Sequence, residues 1–142
     1  MQINEEVQAS EKLEDIIRIC NIYVPVSDIY KAIEWYETNL GCKFTGDKTE
    51  PNMTGAFLNF PDRNVPTLFL HKSDEEGGRL GFSWSEDSGK PHAVVCFVTP
   101  RIQELFERFK KNGVNIVGQR QTCGPNITFS DPDGNLWEVW QP

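Results

Sequence analysis

The stretch DPDGNLWEVW, residues 131–140, predicts a tight turn followed by a strand. Proline followed by Asp-Gly is typical of a turn, because proline fixes one backbone dihedral angle and glycine accepts positive φ. The LWEVW segment at 136–140 is rich in aromatic and β-branched residues, which favours a strand. Its single charge, Glu138, lies among four apolar residues, and a carboxylate there needs solvent, a cation or a hydrogen-bond partner. We therefore expect this strand to carry a site residue.

A related turn earlier in the chain indicates an internal duplication. The PDRN motif at 61–64 precedes the PDGN motif at 132–135 by 71 positions, and Gly41 precedes Gly113 by 72 positions. Repeated offsets of this kind are typical of a duplicated structural unit. The sequence therefore predicts two half-units with the same order of elements.

The first half is predicted to fold as a strand, a helix and three further strands. A β-branched run at 16–26 favours the first strand, Asp28 offers an N-cap, and Gly41 ends the helix. Apolar residues recur along one face of that helix: Ile29, Ala32, Ile33, Tyr36 and Leu40. Three short strands follow, at 42–45, 53–60 and 67–71.

The second half repeats this order. Residues 92–98 favour a strand, Thr99 is a predicted N-cap, and Pro100 would occupy the first helical position. The buried face of this helix is marked by Ile102, Leu105, Phe106 and Phe109. Gly113 ends the helix, and strands are predicted at 114–117, 126–129 and 136–140.

The predicted organisation is one domain preceded by an arm. Residues 1–15 form a polar, acidic arm, and residues 16–142 form a single domain. Within it, modules at 16–72 and 91–142 are joined by an acidic Gly/Ser-rich linker at 73–90, in which Phe82 and Trp84 are candidate anchors.

Composition limits the partners and the compartment. The chain has 142 residues and a net charge of −7, so its average field repels nucleic acid and anionic lipid. The longest fully apolar run, 93–98, is too short to span a membrane, and the N-terminus does not resemble a signal peptide. The four cysteines show no C-x-x-C spacing, which favours a reducing compartment. We expect a cytoplasmic protein that binds a small molecule.

Side-chain alternation divides the first strand of each module into two faces. In the first module, the face opposite the helix carries Asn21, Tyr23 and Pro25. In the second module, the matching face carries His92, Val94, Cys96 and Val98. We expect both faces to border a cavity shared by the modules, where Tyr23 and Trp140 could stack on a ligand.

The order of these residues resembles the vicinal oxygen chelate superfamily, which includes glyoxalase I, bleomycin-resistance proteins, fosfomycin-resistance transferases and extradiol dioxygenases. The resemblance covers about residues 16–142 and is carried by the helix end, WYETNLG at 35–41, and by the closing DPDGNLWE at 131–138. It implies an α+β fold in which two tandem βαβββ modules form a cupped, partly open mixed β-barrel with the helices outside. It also implies a homodimer.

The resemblance further implies a position for one divalent metal ion (Zn, Ni, Fe or Mn). Metal-dependent members use a histidine from each module and a glutamate on the final strand, which His92 and Glu138 match. Asn21 stands at the first-module histidine position, and an amide oxygen is a weaker ligand than imidazole. Some members have a further carboxylate ligand on the strand that closes the first module, and Phe69 lies on that strand here. A shift in the register of this strand could bring His71 into the site as a third ligand. The predicted cofactor is therefore none or one divalent metal.

Three functional hypotheses remain open, and the sequence favours the first. It is a glyoxalase- or bleomycin-resistance-like protein that binds a small molecule without a complete metal site, through Asn21, Tyr23, Phe69, Val94, Cys96 and Trp140. The second is a metal-dependent lyase, isomerase or dioxygenase that acts on a vicinal-oxygen substrate through His92 and Glu138. The third is a metal-free enzyme in which the same two residues act as acid and base.

Overall fold

Two four-stranded sheets and two helices make up the computed structural model, which describes residues 12–74, 78–83, 90–121 and 123–142. Most of the predicted arm, much of the linker and Trp84 lie outside the described residues. The first-half elements are β1 (Asn21–Val26), α1 (Ile29–Leu40), β2 (Lys43–Phe44), β3 (Gly55–Asn59) and β4 (Thr67–Lys72). A short pair, β5 (Phe82–Ser83) and β6 (Pro91–His92), precedes β7 (Cys96–Val98), α2 (Ile102–Lys111), β8 (Asn115–Gln121), β9 (Pro125–Ser130) and β10 (Leu136–Trp140).

The two sheets have the same topology. The first is ordered β1-β4-β3-β2 and the second β7-β10-β9-β8. In each, the first strand pairs in parallel with the last, and the remaining pairs are antiparallel. The predicted α+β class with two βαβββ units is confirmed.

Helix α1 begins and ends as the sequence predicts. The Asp28 carboxylate accepts a hydrogen bond from the Lys31 N–H at 3.1 Å, and Gly41 adopts a left-handed φ of 73°. No helix in the described part of the chain is long and apolar enough to span a membrane.

Helix α2 begins two residues later than the sequence predicts. Arg101 is its N-cap, and the Thr99 N–H donates instead to the Trp140 carbonyl, which extends the sheet edge. The Ile102 N–H donates to the Gln141 side chain at 2.8 Å. The predicted start at Thr99 and Pro100 is therefore wrong, because contacts with the distant C-terminal segment set the first turn.

Four predicted strands are shorter in the structure, and those predicted at 16–26 and 92–98 differ most. The strand predicted at 16–26 begins at Asn21, because its partner β4 begins at Thr67, which pairs with Asn21. The strand predicted at 92–98 divides: His92 pairs with Phe82 of β5, and only Cys96–Val98 pairs with β10. Residues between these pieces, 93–95, lie outside any strand.

Both sheets contribute one face to a common core. Buried side chains from β1, β3 and β4 join those of both helices and of β9 and β10 in one cluster. Phe109 stacks near Phe129, and Trp35 of α1 lies 6.5 Å from the same ring. The opposite face of each sheet is more exposed, so the core positions two separate faces for contact with other molecules.

The closing turn holds the two modules together. Tyr36 donates to the Asp131 carboxylate at 2.6 Å, and the Trp137 indole donates to the Tyr36 hydroxyl at 3.0 Å. Asn135 donates to both Asp131 and the Pro25 carbonyl. Burial raises the pKa of Asp131, and the bonds from Tyr36 and Asn135 offset part of this rise. The DPDGN motif therefore acts as a structural clasp between modules.

Candidate functional site

A cavity of about 300 Å³ lies on the exposed face of the second sheet. Its walls are His92, Cys96, Arg120, Asn126, Glu138 and Trp140. Strand register explains this grouping. Trp140 lies opposite Asn126, which lies opposite Arg120, and Glu138 lies opposite both Cys96 and Thr128. Because side chains alternate, these residues share one face.

Glu138 and Cys96 lie side by side in the cavity wall. Burial and the neighbouring Glu138 carboxylate raise the pKa of the Cys96 thiol to about 12. The thiol therefore stays protonated near neutral pH, beside Glu138, and donates to the Phe97 carbonyl at 3.5 Å. A nucleophilic thiolate is disfavoured at this position.

His92 forms one end of the cavity and is held by its neighbours. Its Nδ1 lies 2.7 Å from the Ala93 carbonyl, and its ring lies 5.0 Å from Phe82. The half-buried imidazole is thus oriented by the β5–β6 pair rather than by β10. It lines the same cavity as Glu138.

Two buried polar atoms next to the cavity have no hydrogen-bond partner: Asn126 Oδ1 and Trp140 Nε1. Asn126 is 7% exposed. Gly124 packs against the Trp140 nitrogen, and a Cβ there would lie 3.1 Å from it, which shields this atom. The sequence prediction included Trp140 but missed Asn126 and Arg120. An antiparallel hairpin around the 131–135 turn pairs Trp140 with Asn126, so the turn position in the sequence could have predicted Asn126.

The first sheet presents a row of aromatic rings on its exposed face. Tyr23 meets Phe69 edge-on at 5.6 Å, and Phe57 lies 4.4 Å from Phe69. Tyr23 is 64% exposed and Phe57 is 49% exposed. Asn21, on the same face, accepts a hydrogen bond from the Thr67 hydroxyl at 2.6 Å. The predicted residues Asn21, Tyr23 and Phe69 therefore lie on a different sheet from Glu138.

Val94 lines a second, larger cavity of about 920 Å³. This cavity lies between β1, the segment that follows Phe60, β7 and α2, and its walls are mainly apolar. Cys96 borders both cavities. The six predicted ligand-binding residues are thus distributed over one aromatic row and two cavities.

A metal centre with three protein ligands does not fit the described residues. They contain no group of three or more His, Cys, Asp or Glu placed to hold a metal ion. His92 and Glu138 share a cavity, but His71 lies on β4 of the other sheet, 6.0 Å from Phe69. The His71, His92 and Glu138 set is therefore not assembled in one chain. The Asn21 amide oxygen is already engaged by Thr67.

The fold defines a class: α+β proteins built from two βαβββ modules. Residues 17–139 match the model of the Glyoxalase/Bleomycin resistance protein/Dioxygenase superfamily. The chain belongs to this superfamily, and the resemblance noted in the sequence is confirmed.

Solved structures with the same fold include proteins associated with antibiotics. The chain is 26% identical to TnmS3, an antibiotic binding protein from Streptomyces sp. CB03234, with a TM-score of 0.63 over 90% of this chain and 98% of that one. It is 23% identical to a superfamily member from Sphaerobacter thermophilus DSM 20745, with a TM-score of 0.64 over 89% and 98% of the chains.

A third structure is the fosfomycin resistance protein FosX from Listeria monocytogenes, in its hexagonal form. It is 17% identical, with a TM-score of 0.65 over 89% of this chain and 94% of that one. The likenesses to the Sphaerobacter protein and to FosX show the fold alone. No curated protein sequence matches the chain.

Proposed function

We propose that this protein binds a small aromatic molecule at the cavity of the second sheet. The observation that carries the proposal is the joint placement of Glu138, Trp140 and Asn126 around one small pocket. Pockets of this kind combine an aromatic surface with a few polar groups that orient the ligand. Similarity to TnmS3, an antibiotic binding protein, supports binding as the role.

The proposal includes a homodimer in which a second copy covers the cavity. The exposed ring row of Tyr23, Phe57 and Phe69 supports it, because exposed apolar surface of this kind favours an interface. The segment directly before β1 adds exposed apolar side chains, including Ile16 at 88% and Ile19 at 66% exposure. The aromatic row of one copy then faces the Glu138 cavity of the other. Asn21, Tyr23 and Phe69 would join Cys96 and Trp140 at one site.

A cytoplasmic location is part of the same proposal. The four cysteines are free thiols in the structure, which supports a reducing compartment.

The first test is ligand binding by tryptophan fluorescence and calorimetry. The panel consists of bleomycin, phenethylamine and 2-phenylethanol. We expect at least one member to bind the wild type. Trp140→Ala should weaken that binding about tenfold or more, because the ligand ring loses its stacking contact with the indole. Glu107→Ala, on the exposed face of α2, is the control and should bind as the wild type does. Failure of all three compounds to bind would contradict the proposal.

One observation favours the second hypothesis, a metal-dependent enzyme. His92 and Glu138 do line one cavity, and each is a common ligand of Zn²⁺ or Fe²⁺. Such an enzyme would need a further donor, which a second copy would have to supply. Elemental analysis of protein prepared without chelators decides between the hypotheses. About one metal ion per chain, lost in both His92→Ala and Glu138→Ala, would replace the binding proposal with the metal-enzyme hypothesis.

A further inference from the structure

We infer that the ligand of the second-sheet cavity carries a primary ammonium group, held by Glu138 and Asn126, next to an aromatic ring that stacks on Trp140. The inference rests on the proposed function and names the chemical class of its ligand. It is argued from the polar groups that line the cavity.

Glu138 is a half-buried carboxylate with a weak donor. The ion pairs of the described residues join Lys48 to Glu37, Arg79 to Asp133 and Lys110 to Glu107, and Glu138 is not among them. Its neighbour Cys96 supplies a thiol, which is a poor hydrogen-bond donor. A carboxylate in a partly desolvated pocket gains most from a charged N–H donor, so an ammonium group is the complementary ligand group.

Asn126 adds a second acceptor beside the first. Its Oδ1 is buried without a partner, and an unsatisfied buried acceptor costs about 1–3 kcal/mol. Asn126 and Glu138 lie on adjacent strands of one face, two residues out of register. A diagonal pair of this kind is close enough for one ligand group to reach both side chains. An ammonium group has three N–H donors and can satisfy both acceptors.

Trp140 sets the distance between the ammonium group and the ring. It lies two residues beyond Glu138 on β10, and the same face repeats roughly every 7 Å along a strand. A two-carbon spacer between a ring and an amine covers most of this distance. The cavity volume of about 300 Å³ also favours a small ligand.

Two other residues of the cavity, Arg120 and His92, can carry a positive charge, and each has partners of its own. Arg120 lies on β8, two strands from β10, and has an interaction of its own. His92 is held at the far end by Ala93 and Phe82. The wall formed by β10 itself contains no basic residue.

The test compares phenethylamine with 2-phenylethanol, which has the same ring and spacer but no charge. We expect the amine to bind the wild type about tenfold more tightly near pH 7, because a charge-assisted hydrogen bond replaces a neutral one. Glu138→Gln should remove this preference and leave binding of the alcohol unchanged. Asn126→Ala should reduce amine affinity about threefold to tenfold. Glu104→Gln, which removes a charge from the exposed surface of α2, should keep the full preference.

The outcomes separate this inference from the proposed function. Equal affinity of the two compounds for the wild type, or a preference that survives Glu138→Gln, would overturn the inference and leave the binding function standing. Binding of bleomycin alone would do the same. If no compound binds, both fail. Circular dichroism of each variant confirms that it is folded.

Discussion

At the scale of single residues, Asp131 and Glu138 are two carboxylates of one segment with different roles. Asp131 is buried and accepts hydrogen bonds from Tyr36, Asn135 and the backbone, so it joins the modules. Glu138 has no such network and faces the cavity. The sequence singles out Glu138 because its charge lies among four apolar neighbours, and the structure places it in the wall of a cavity. The clasp formed by Asp131 could not be foreseen, since Tyr36 is 95 residues away in sequence.

Tyr36→Phe should destabilise the protein more at neutral pH than at acid pH. Burial raises the pKa of Asp131, so the free energy of unfolding falls as the pH rises from the ordinary carboxyl range through this raised pKa. The Tyr36 hydroxyl opposes that rise, and its removal raises the pKa further. We expect a loss of about 2–3 kcal/mol near pH 7 and a smaller loss near pH 4. Urea unfolding at both pH values measures the difference.

The control is Tyr23→Phe, which removes a hydroxyl from an exposed ring of the first sheet. Its effect should be small and independent of pH. An equal loss at both pH values for Tyr36→Phe would contradict a charge-assisted bond to Asp131.

At the scale of elements, the sequence predicted correctly those helix and strand ends that depend on neighbouring residues in the chain. Capping by Asp28, the glycine at the end of α1 and the final strand at 136–140 all agree with the sequence. The strand predicted at 16–26 was too long because no partner strand extends beyond Thr67. The start of α2 depends on Gln141, a contact that periodicity does not contain.

The same distinction explains the site. Alternation along β10 and β7 correctly placed Glu138, Trp140 and Cys96 on one face. It could not show that Tyr23 and Phe69 lie on the other sheet's exposed face, because alternation gives a side of a strand and not the packing of one sheet against another. Asn126 was missed because its place in the cavity follows only from the register of β9 against β10.

Gly41→Ala and Gly113→Ala should destabilise the protein by similar amounts. Both glycines end helices in the left-handed region, with φ of 73° and 69°, and open space surrounds each, so only backbone strain is added. We expect each substitution to cost about 1 kcal/mol in the free energy of unfolding. Gly118→Ala, which also meets open space but lacks positive φ, should cost almost nothing. A near-zero effect at either helix end would contradict the equivalence of the two modules.

At the scale of the whole molecule, the two sheets share one core, and the exposed face of each sheet lies on a different side of the chain. In the proposed homodimer, the aromatic row of one copy meets the cavity of the other in a single site. The net charge of −7 says little about this site, since many of the acidic residues belong to the N-terminal arm and the linker. Glu138 is the acid that we assign to it.

Mixing two defective variants tests the shared site most directly. Tyr23→Ala damages the aromatic row, and Trp140→Ala damages the cavity, so each homodimer should lose binding of the tightest compound in the panel. A mixed dimer contains one undamaged site, formed by the intact aromatic row of one copy and the intact cavity of the other. After the variants are refolded together, calorimetry should detect about a quarter of the wild-type number of sites. If mixing restores no binding, or if Tyr23→Ala alone binds as the wild type does, the site is not shared between copies.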